Sequence, residues 1–245
     1  MYYSLNYYFI YFFMQYILQE MVQAGVHFGH AKHQWNPKMS PYIYKEKDGI
    51  HIIDIIQTCF YLSKVTYFLE QSAAQGKKIL FVGTKKQAAK IIQQTAIESN
   101  TFFVNQRWLG GLLTNWSTIR KSIIKYNRLQ NMEMSSTFSK KYQVQIQKKR
   151  DKLEKYIGGL KDMYQIPDII IIVGQQKELN AIQECRKLGL RTITLLDTNC
   201  NPSLADLFVP ANDDSVSSIK FILNEFLKSI KKGQLLYSQR KKLKN

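Results

Sequence analysis

Acidic residues, cysteines and glycine-rich phosphate motifs are scarce in this 245-residue sequence, and each shortage excludes a class of protein. The three cysteines lie far apart and form no CxxC pair, which argues against a disulfide framework and indicates a reducing compartment. Neither the dinucleotide pattern GxGxxG nor the P-loop pattern GxxxxGK(S/T) occurs, so a nucleotide enzyme would lack its usual phosphate cradle. Asp and Glu number 18 against 35 Lys and Arg, which leaves a net charge of +17 and favours a polyanionic partner.

The first 19 residues carry no charge and are rich in tyrosine and phenylalanine. A secretory signal would need a basic start and a small-residue cleavage site, and a membrane span would hardly include Ser4, Asn6 and Gln15. We therefore expect no membrane insertion. Because Arg and Ser are not enriched there, we also expect no transit peptide, and the chain is predicted to work in the compartment where it is made.

Outside the middle of the chain, apolar runs typical of buried parallel strands alternate with helical spacing. Strands are predicted at 49–54, 78–82, 101–104, 168–173 and 191–196, and helices at 58–75, 87–99, 177–188 and 216–231. This alternation predicts an α/β protein with a doubly wound, mainly parallel sheet. We expect a leading segment in 1–20, an α/β domain in 21–114 and 158–237, an inserted hairpin in 115–157 and a basic tail in 238–245.

The positive charge is concentrated in the inserted segment. Residues 101–160 hold 12 basic and 3 acidic side chains, whereas residues 161–200 hold 5 of each. Helices predicted at 115–132 and 140–157 have narrow apolar seams and a short polar link at 133–139, which predicts a protruding antiparallel helical hairpin with basic outer faces. Such charge is often only a solvated face, but the acidic residues that would pair with it at i,i+4 spacing are scarce, so we expect bound nucleic acid.

The segment 104–116 joins the third predicted strand to this hairpin and combines Arg107, Trp108, Trp116, two glycines and several amides. Planar indole and guanidinium groups can stack on bases, so the segment is interpreted first as a contact surface. The alternative is a hydrophobic corner with Trp108 and Trp116 in the core.

Two further places could bind an anion or a metal. The turn Gly83–Lys86 follows a strand and opens a helix, so it could hold an RNA phosphate, hold a bound nucleotide or be only a turn. His27, His30 and His33 could contact RNA or pack against the sheet; no cysteine or carboxylate lies near them in sequence, so we expect no metal. Paired Asp213 and Asp214 are expected to cap the following helix.

Seven motifs occur in the order that is typical of one family. They are AGVHFGH at 24–30, WNPKM at 35–39, FVGTK at 81–85, RWLGG at 107–111 with LTNW at 113–116, GGLKDM at 158–163, DTN at 197–199 and PANDD at 210–214. Over roughly residues 16–237 the chain resembles the family of ribosomal protein two of the small subunit. Residues 17–21, 167–173 and 197–206 resemble its chloroplast members, and the frequent Ile, Lys, Asn and Tyr suit an AT-rich organelle genome.

The resemblance implies a flavodoxin/Rossmann-like α/β sandwich with a protruding hairpin, in the small ribosomal subunit of the chloroplast stroma. It implies binding to small-subunit rRNA at the junction of head and body on the solvent side, and docking of ribosomal protein one near the mRNA exit. Its partners would be rRNA and neighbouring small-subunit proteins, with no enzymatic activity, cofactor, small-molecule substrate, membrane or homo-oligomer.

We expect the main RNA contacts in the segment 104–116 and on the hairpin. A second group is expected around the turn Gly83–Lys86 and the histidines. They are Arg107, Trp108, Asn115, Arg120, Lys121, Lys125, Arg128, Lys148, Lys149 and Arg150, and then Lys85, Lys86, His30, Lys32 and Lys38. Two alternatives stay open: a nucleotide-binding Rossmann-type enzyme and a protein-interaction scaffold outside the ribosome.

Overall fold

A computed structural model describes residues 17–133 and 140–242. The aromatic segment before residue 17, the hairpin link from residue 134 and the last three residues of the predicted tail lie outside the described residues. In chain order the elements are α1 in residues 17–23, β1 Phe28–Ala31, β2 Ile43–Lys47, β3 Ile50–Ile53, α2 Ile55–Ala74, β4 Ile79–Val82, α3 Lys86–Glu98, β5 Phe102–Val104, α4 Trp116–Glu133, α5 Lys140–Ile157, β6 Ile169–Val173, α6 Leu179–Leu188, β7 Arg191–Leu196, β8 Leu207–Pro210 and α7 Val216–Lys242.

The main sheet has five parallel strands in the order β5-β4-β6-β7-β8. Its central strand, β6, consists of four isoleucines and a valine, all buried, as expected for a strand covered on both faces. Helices α2, α3 and α7 pack on one face, and α6 and the base of the hairpin pack on the other. The doubly wound α/β fold predicted from the sequence is therefore confirmed.

A second, smaller sheet was only partly predicted. It is antiparallel with the order β1-β3-β2, and of its strands the sequence pattern indicated only β3. Both pairings carry a register irregularity, and β2 is mostly exposed and polar, so neither β1 nor β2 shows clean alternation. Asn36 N–H donates to the Thr198 carbonyl, which holds the small sheet against the carboxyl end of β7.

Helices α4 and α5 form the predicted hairpin. Ile119, Ile123 and Tyr126 of α4 are buried together with Ile157 of α5, beneath the second face of the main sheet. Because the first half of α4 and the end of α5 both lie at the sheet, the two helices run antiparallel and their far ends project away from it. The division of the chain into a body and an inserted hairpin stays our prediction.

Two helix boundaries differ from the sequence-based prediction by three residues or more. Helix α2 begins at Ile55 because the Asp54 carboxylate accepts from the Ile56 backbone N–H at 2.9 Å and caps the first turn. Helix α7 continues to Lys242, so the segment expected to be a basic tail is helical as far as it is described. Within the described ranges, the helices are too short or too polar to cross a membrane.

Candidate nucleic-acid interface

The corner before the hairpin is organised by one carboxylate. Oε1 of Glu184, on α6, accepts from Trp108 Nε1 at 2.9 Å and from the Gly111 backbone N–H at 2.8 Å. Oε2 accepts from the backbone N–H groups of Leu113 and Thr114, both at 3.0 Å, and from the Thr114 hydroxyl at 3.1 Å. Burial opposes ionisation of Glu184, but these hydrogen bonds outweigh it and lower the pKa of the carboxyl group.

This arrangement corrects the interpretation of Trp108. Its indole is only 7 % exposed and its N–H is already bound, so no base can stack on it in this conformation. Trp116 is half-buried and packs against the same apolar cluster. The hydrophobic-corner alternative therefore describes the two indoles better, whereas Arg107 and Asn115 at the same corner are exposed.

The hairpin carries exposed cations without ionic partners. In the described ranges, the basic side chains predicted to contact RNA on α4, and two of the three on α5, are exposed and form no ion pair. They are Arg120, Lys121, Lys125, Arg128, Lys148 and Lys149. Arg150 differs, because it is less exposed and its guanidinium lies 2.7 Å from Asp151.

The turn Gly83–Lys86 does not offer the anion site that its position suggested. Oε1 of Glu178 accepts from the Thr84 backbone N–H at 2.9 Å and from the Thr84 hydroxyl at 2.6 Å, so a carboxylate of the chain occupies the place expected for a phosphate. Gly83 N–H donates to the Val104 carbonyl. Lys86 alone of this turn presents an exposed cation.

Lys85 and His30 belong to a polar cluster inside the protein. Lys85 Nζ lies 2.5 Å from Asp213 and 2.8 Å from Asp214, while His30 Nδ1 lies 2.9 Å from Asp197 and its Nε2 lies 3.1 Å from Asp214. Asp213 and Asp214 therefore bind Lys85 instead of capping α7. The turn that leads into α7 is held by Asn212, whose side-chain oxygen accepts from the backbone N–H groups of Asp214 and Ser215.

The pKa values in this cluster follow from burial and charge. Burial, together with the charge of Asp197, raises the pKa of Asp213 to about 6 despite the nearby ammonium group. The hydrogen bond to Asp197 and the other carboxylates raise the pKa of His30, against the effect of burial. Burial opposes the charge of Lys85, but the two aspartates outweigh it and raise the pKa of Lys85.

The three histidines have different surroundings in the fold. His33 is exposed and His27 packs against Phe28, with ring centroids 4.1 Å apart. Donor atoms of His30, Asp197 and Asp213 lie within 4.8 Å of one another, so these three have the donor types and spacing for a divalent cation. Asp197 and Asp213 follow His30 by more than 160 residues, and for this reason the sequence motif alone did not reveal them.

The two remaining residues predicted to contact RNA, Lys32 and Lys38, also differ in whether they form an ion pair. Lys32 forms an ion pair with Glu46 at 2.7 Å, whereas Lys38 is exposed without one in the described part of the chain. The cations at the small sheet and the glycine turn are thus partly neutralised, and those predicted to contact RNA on the hairpin, apart from Arg150, are not. Together, a turn closed by its own glutamate and a hairpin with many unpaired cations define a basic α/β structural protein rather than a nucleotide-binding enzyme.

Comparison with known proteins agrees with this class. The family described as ribosomal protein S2 matches residues 21–233. A protein of Oltmannsiellopsis viridis named small ribosomal subunit protein uS2c is 58 % identical over 224 residues, which cover 90 % of this chain and 94 % of that relative. The uS2c of Chlorella vulgaris is 50 % identical over 92 % of this chain and 85 % of its own, and the uS2 of the cyanobacterium Microcystis aeruginosa is 48 % identical over 88 % and 82 %.

The chain belongs to the ribosomal protein S2 family. It is a structural constituent of the small ribosomal subunit and not an enzyme, and its similarity to the uS2c proteins assigns it to the plastid. The motif-based recognition is confirmed.

Proposed function

We propose that this chain binds small-subunit rRNA mainly through the unpaired cations of its hairpin. One observation carries the proposal: exposed Lys and Arg side chains without ionic partners lie on α4 and α5, while Lys32 and Lys85 of the body are paired. An unpaired cation can neutralise a phosphate without first breaking an ion pair. Release of counterions from the RNA then drives the association.

Helical geometry groups these cations into rows. Lys121, Lys125 and Arg128 are spaced i, i+4 and i+7 on α4, so they share one face. Lys148 and Lys152 stand four residues apart on α5. Rows of this kind fit the regular phosphate spacing of an RNA helix, and selectivity would come from the shape of the folded rRNA.

Arg107, Asn115, Lys38 and Lys86 are exposed and complete the proposed contact set. Four further predicted contacts could reach RNA only after leaving their present carboxylate partners. They are Lys85, His30, Lys32 and Arg150. Trp108 is left out of the proposed contact set, because its ring is covered.

The test is the salt dependence of rRNA binding by the full chain. Replacing Lys148 and Lys149 by Ala should reduce the slope of log affinity against log salt by about 0.7–0.9 for each phosphate that the variant no longer neutralises. A Lys187→Ala/Lys220→Ala variant removes two exposed, unpaired cations outside the hairpin and serves as the control. An Arg150→Ala variant should change the slope less than Lys149→Ala, because Asp151 already neutralises Arg150. Equal slopes for the hairpin variant and its control would reject the proposal.

Two finer proposals follow from family membership. The first is that the chain binds rRNA at the junction of head and body on the solvent side of the subunit. Chemical footprinting of reconstituted small subunits would then show protected nucleotides from both the head and the body, and protection confined to one of them would contradict this placement.

The second finer proposal is that the chain helps to dock ribosomal protein one near the mRNA exit. Exposed aromatic side chains suit a protein partner, and Phe28, Trp35 and Tyr44 of the small sheet and its connections are 47 %, 37 % and 68 % exposed. Small subunits carrying Tyr44→Ala should retain less protein one after sedimentation than subunits carrying Tyr67→Ala, an equally exposed tyrosine on α2. Equal retention would remove this surface from the docking proposal.

A further inference from the structure

A cavity of about 370 Å³ lies between the edge strand β5 and the base of the hairpin. Phe103 and Tyr156 supply aromatic walls, and Gln93 and Asn105 supply side-chain amides. The volume is at the lower end of the range of small-ligand pockets, roughly 300–1,000 Å³. It is therefore large enough for a ligand the size of one nucleotide.

The two amides of this cavity are hydrogen-bonded to each other and still able to bind a further group. Asn105 Nδ2 donates to the Ala89 carbonyl and to Gln93 Oε1, both at 3.1 Å. Asn105 Oδ1 and Gln93 Nε2 are then left without a partner among the described residues. An acceptor beside a donor can form the paired hydrogen bonds that recognise the edge of an unpaired base.

Positive charge lines the same cavity. Lys155 and Lys161 are exposed and form no ion pair in the described ranges, and they stand where α5 passes into the Gly158–Gly159 turn. Glu154 also lines the cavity, but its carboxylate faces Arg150 at 3.8 Å. The cations are thus available to a phosphate group.

The cavity continues along the sheet edge. A second cavity of about 430 Å³ shares Phe103, Gly158, Gly159 and Lys161 with the first, and it extends to Lys78. Gly159 packs directly on the Phe103 carbonyl, where any side chain would collide, so this turn forms the wall of a narrow groove. Three lysines (Lys78, Lys155 and Lys161) line the joined groove against two carboxylates (Glu154 and Asp162), so the groove carries a net positive charge. A basic groove with aromatic side chains is typical of proteins that bind a single nucleic-acid strand.

We propose that this groove holds an unpaired nucleotide of the small-subunit rRNA, with its base edge at Gln93 and Asn105 and its phosphates at Lys155 and Lys161. The inference rests on the proposed rRNA binding and adds a second mode to it. The hairpin cations bind the backbone of folded RNA, and the groove selects a nucleotide that has left the helix.

The experiment uses the full chain bound to small-subunit rRNA, with chemical modification of unpaired bases as the readout. The wild-type chain should protect one or a few unpaired bases that Gln93→Ala and Lys155→Ala/Lys161→Ala leave reactive, while the protection caused by the hairpin persists. Gln93→Ala should weaken binding by about two- to tenfold, the effect of losing one hydrogen bond. The controls are Gln94→Ala, the exposed neighbour that does not line the cavity, and Lys187→Ala/Lys220→Ala.

The possible failures are distinguishable. If the wild-type chain does not bind the rRNA, both the proposed function and this inference are wrong. If it binds and the groove variants protect the same unpaired bases as wild type, only the groove inference is overturned. Unchanged base protection combined with loss of a neighbouring ribosomal protein from variant subunits would also overturn it, because the groove would then hold a protein segment.

Discussion

Trp108 Nε1 donates a hydrogen bond to Glu184 Oε1 over 2.9 Å, and this contact joins two residues 76 positions apart in the chain. The same carboxylate accepts backbone N–H groups from Gly111, Leu113 and Thr114, so it replaces the partners that an irregular corner cannot provide for itself. The corner that leads into the hairpin is therefore held by α6 in addition to its own backbone hydrogen bonds.

Replacing Glu184 by Ala should destabilise the protein by about 2–3 kcal/mol. The change leaves the buried Trp108 N–H without a partner, and loss of a hydrogen bond to a charged group costs more than loss of a neutral one. Urea denaturation measures the effect. Glu98→Ala, which removes a surface ion pair with Lys231, is the control and should cost about 1 kcal/mol or less. A loss no larger than that of the control would contradict the role assigned to Glu184.

The contribution of Glu184 should depend on pH. Its pKa is lower in the folded protein than its ordinary value of 4.5, so its ionised form stabilises the fold fully above pH 4.5 and loses this effect as the pH falls through the lowered pKa. The difference in unfolding free energy between wild type and Glu184→Gln should therefore shrink on acidification below pH 4.5. A difference that stays constant between pH 7 and pH 3 would show that the charge of Glu184 is not involved.

While it is bound to Asp213 and Asp214, Lys85 should contribute to stability and not to RNA binding. Its ammonium group is the cation closest to the buried Asp213, so Lys85→Met would leave that carboxylate without its partner and cost about 3–5 kcal/mol. Adding Asp213→Asn should recover part of the loss, and a double-mutant cycle measures the coupling. The salt slope of rRNA binding should remain that of wild type at temperatures where the variant is folded. A reduced slope would show that Lys85 leaves Asp213 and neutralises an RNA phosphate.

The sequence predicted the structure correctly where that structure is determined by residues that are neighbours along the chain. Buried runs such as 169–173 and the apolar seams of α4 and α5 depend on local spacing, and they predicted the parallel sheet and the hairpin. The surroundings of Trp108, Lys85 and His30 depend on Glu184, Asp213 and Asp197, whose proximity arises only from the folded topology. A residue type suited to RNA contact was therefore insufficient evidence of exposure at these three positions.

The C-terminal end of helix α7 also depends on a contact between distant parts of the chain, which the local sequence does not reveal. Its last turns contain Gly233 within a charged sequence, which is typical of a helix end, yet the helix continues because this glycine packs against α2. A Cβ at this position would collide with the Glu70 carbonyl and with Ala73. Glycine here allows two helices to approach closely, a property that spacing along one helix does not reveal.

Gly233→Ala should accordingly destabilise the protein, although the same change in an exposed helix interior usually stabilises by about 1 kcal/mol. The added methyl group must displace the backbone of α2, and such overpacking typically costs about 1–3 kcal/mol. Ser238→Ala, at an exposed position of the same helix, should change stability by no more than about 0.5 kcal/mol. Urea denaturation of the three proteins compares them directly. A Gly233→Ala protein as stable as wild type, or more stable, would mean that helix propensity and not the contact with α2 decides the residue at this position.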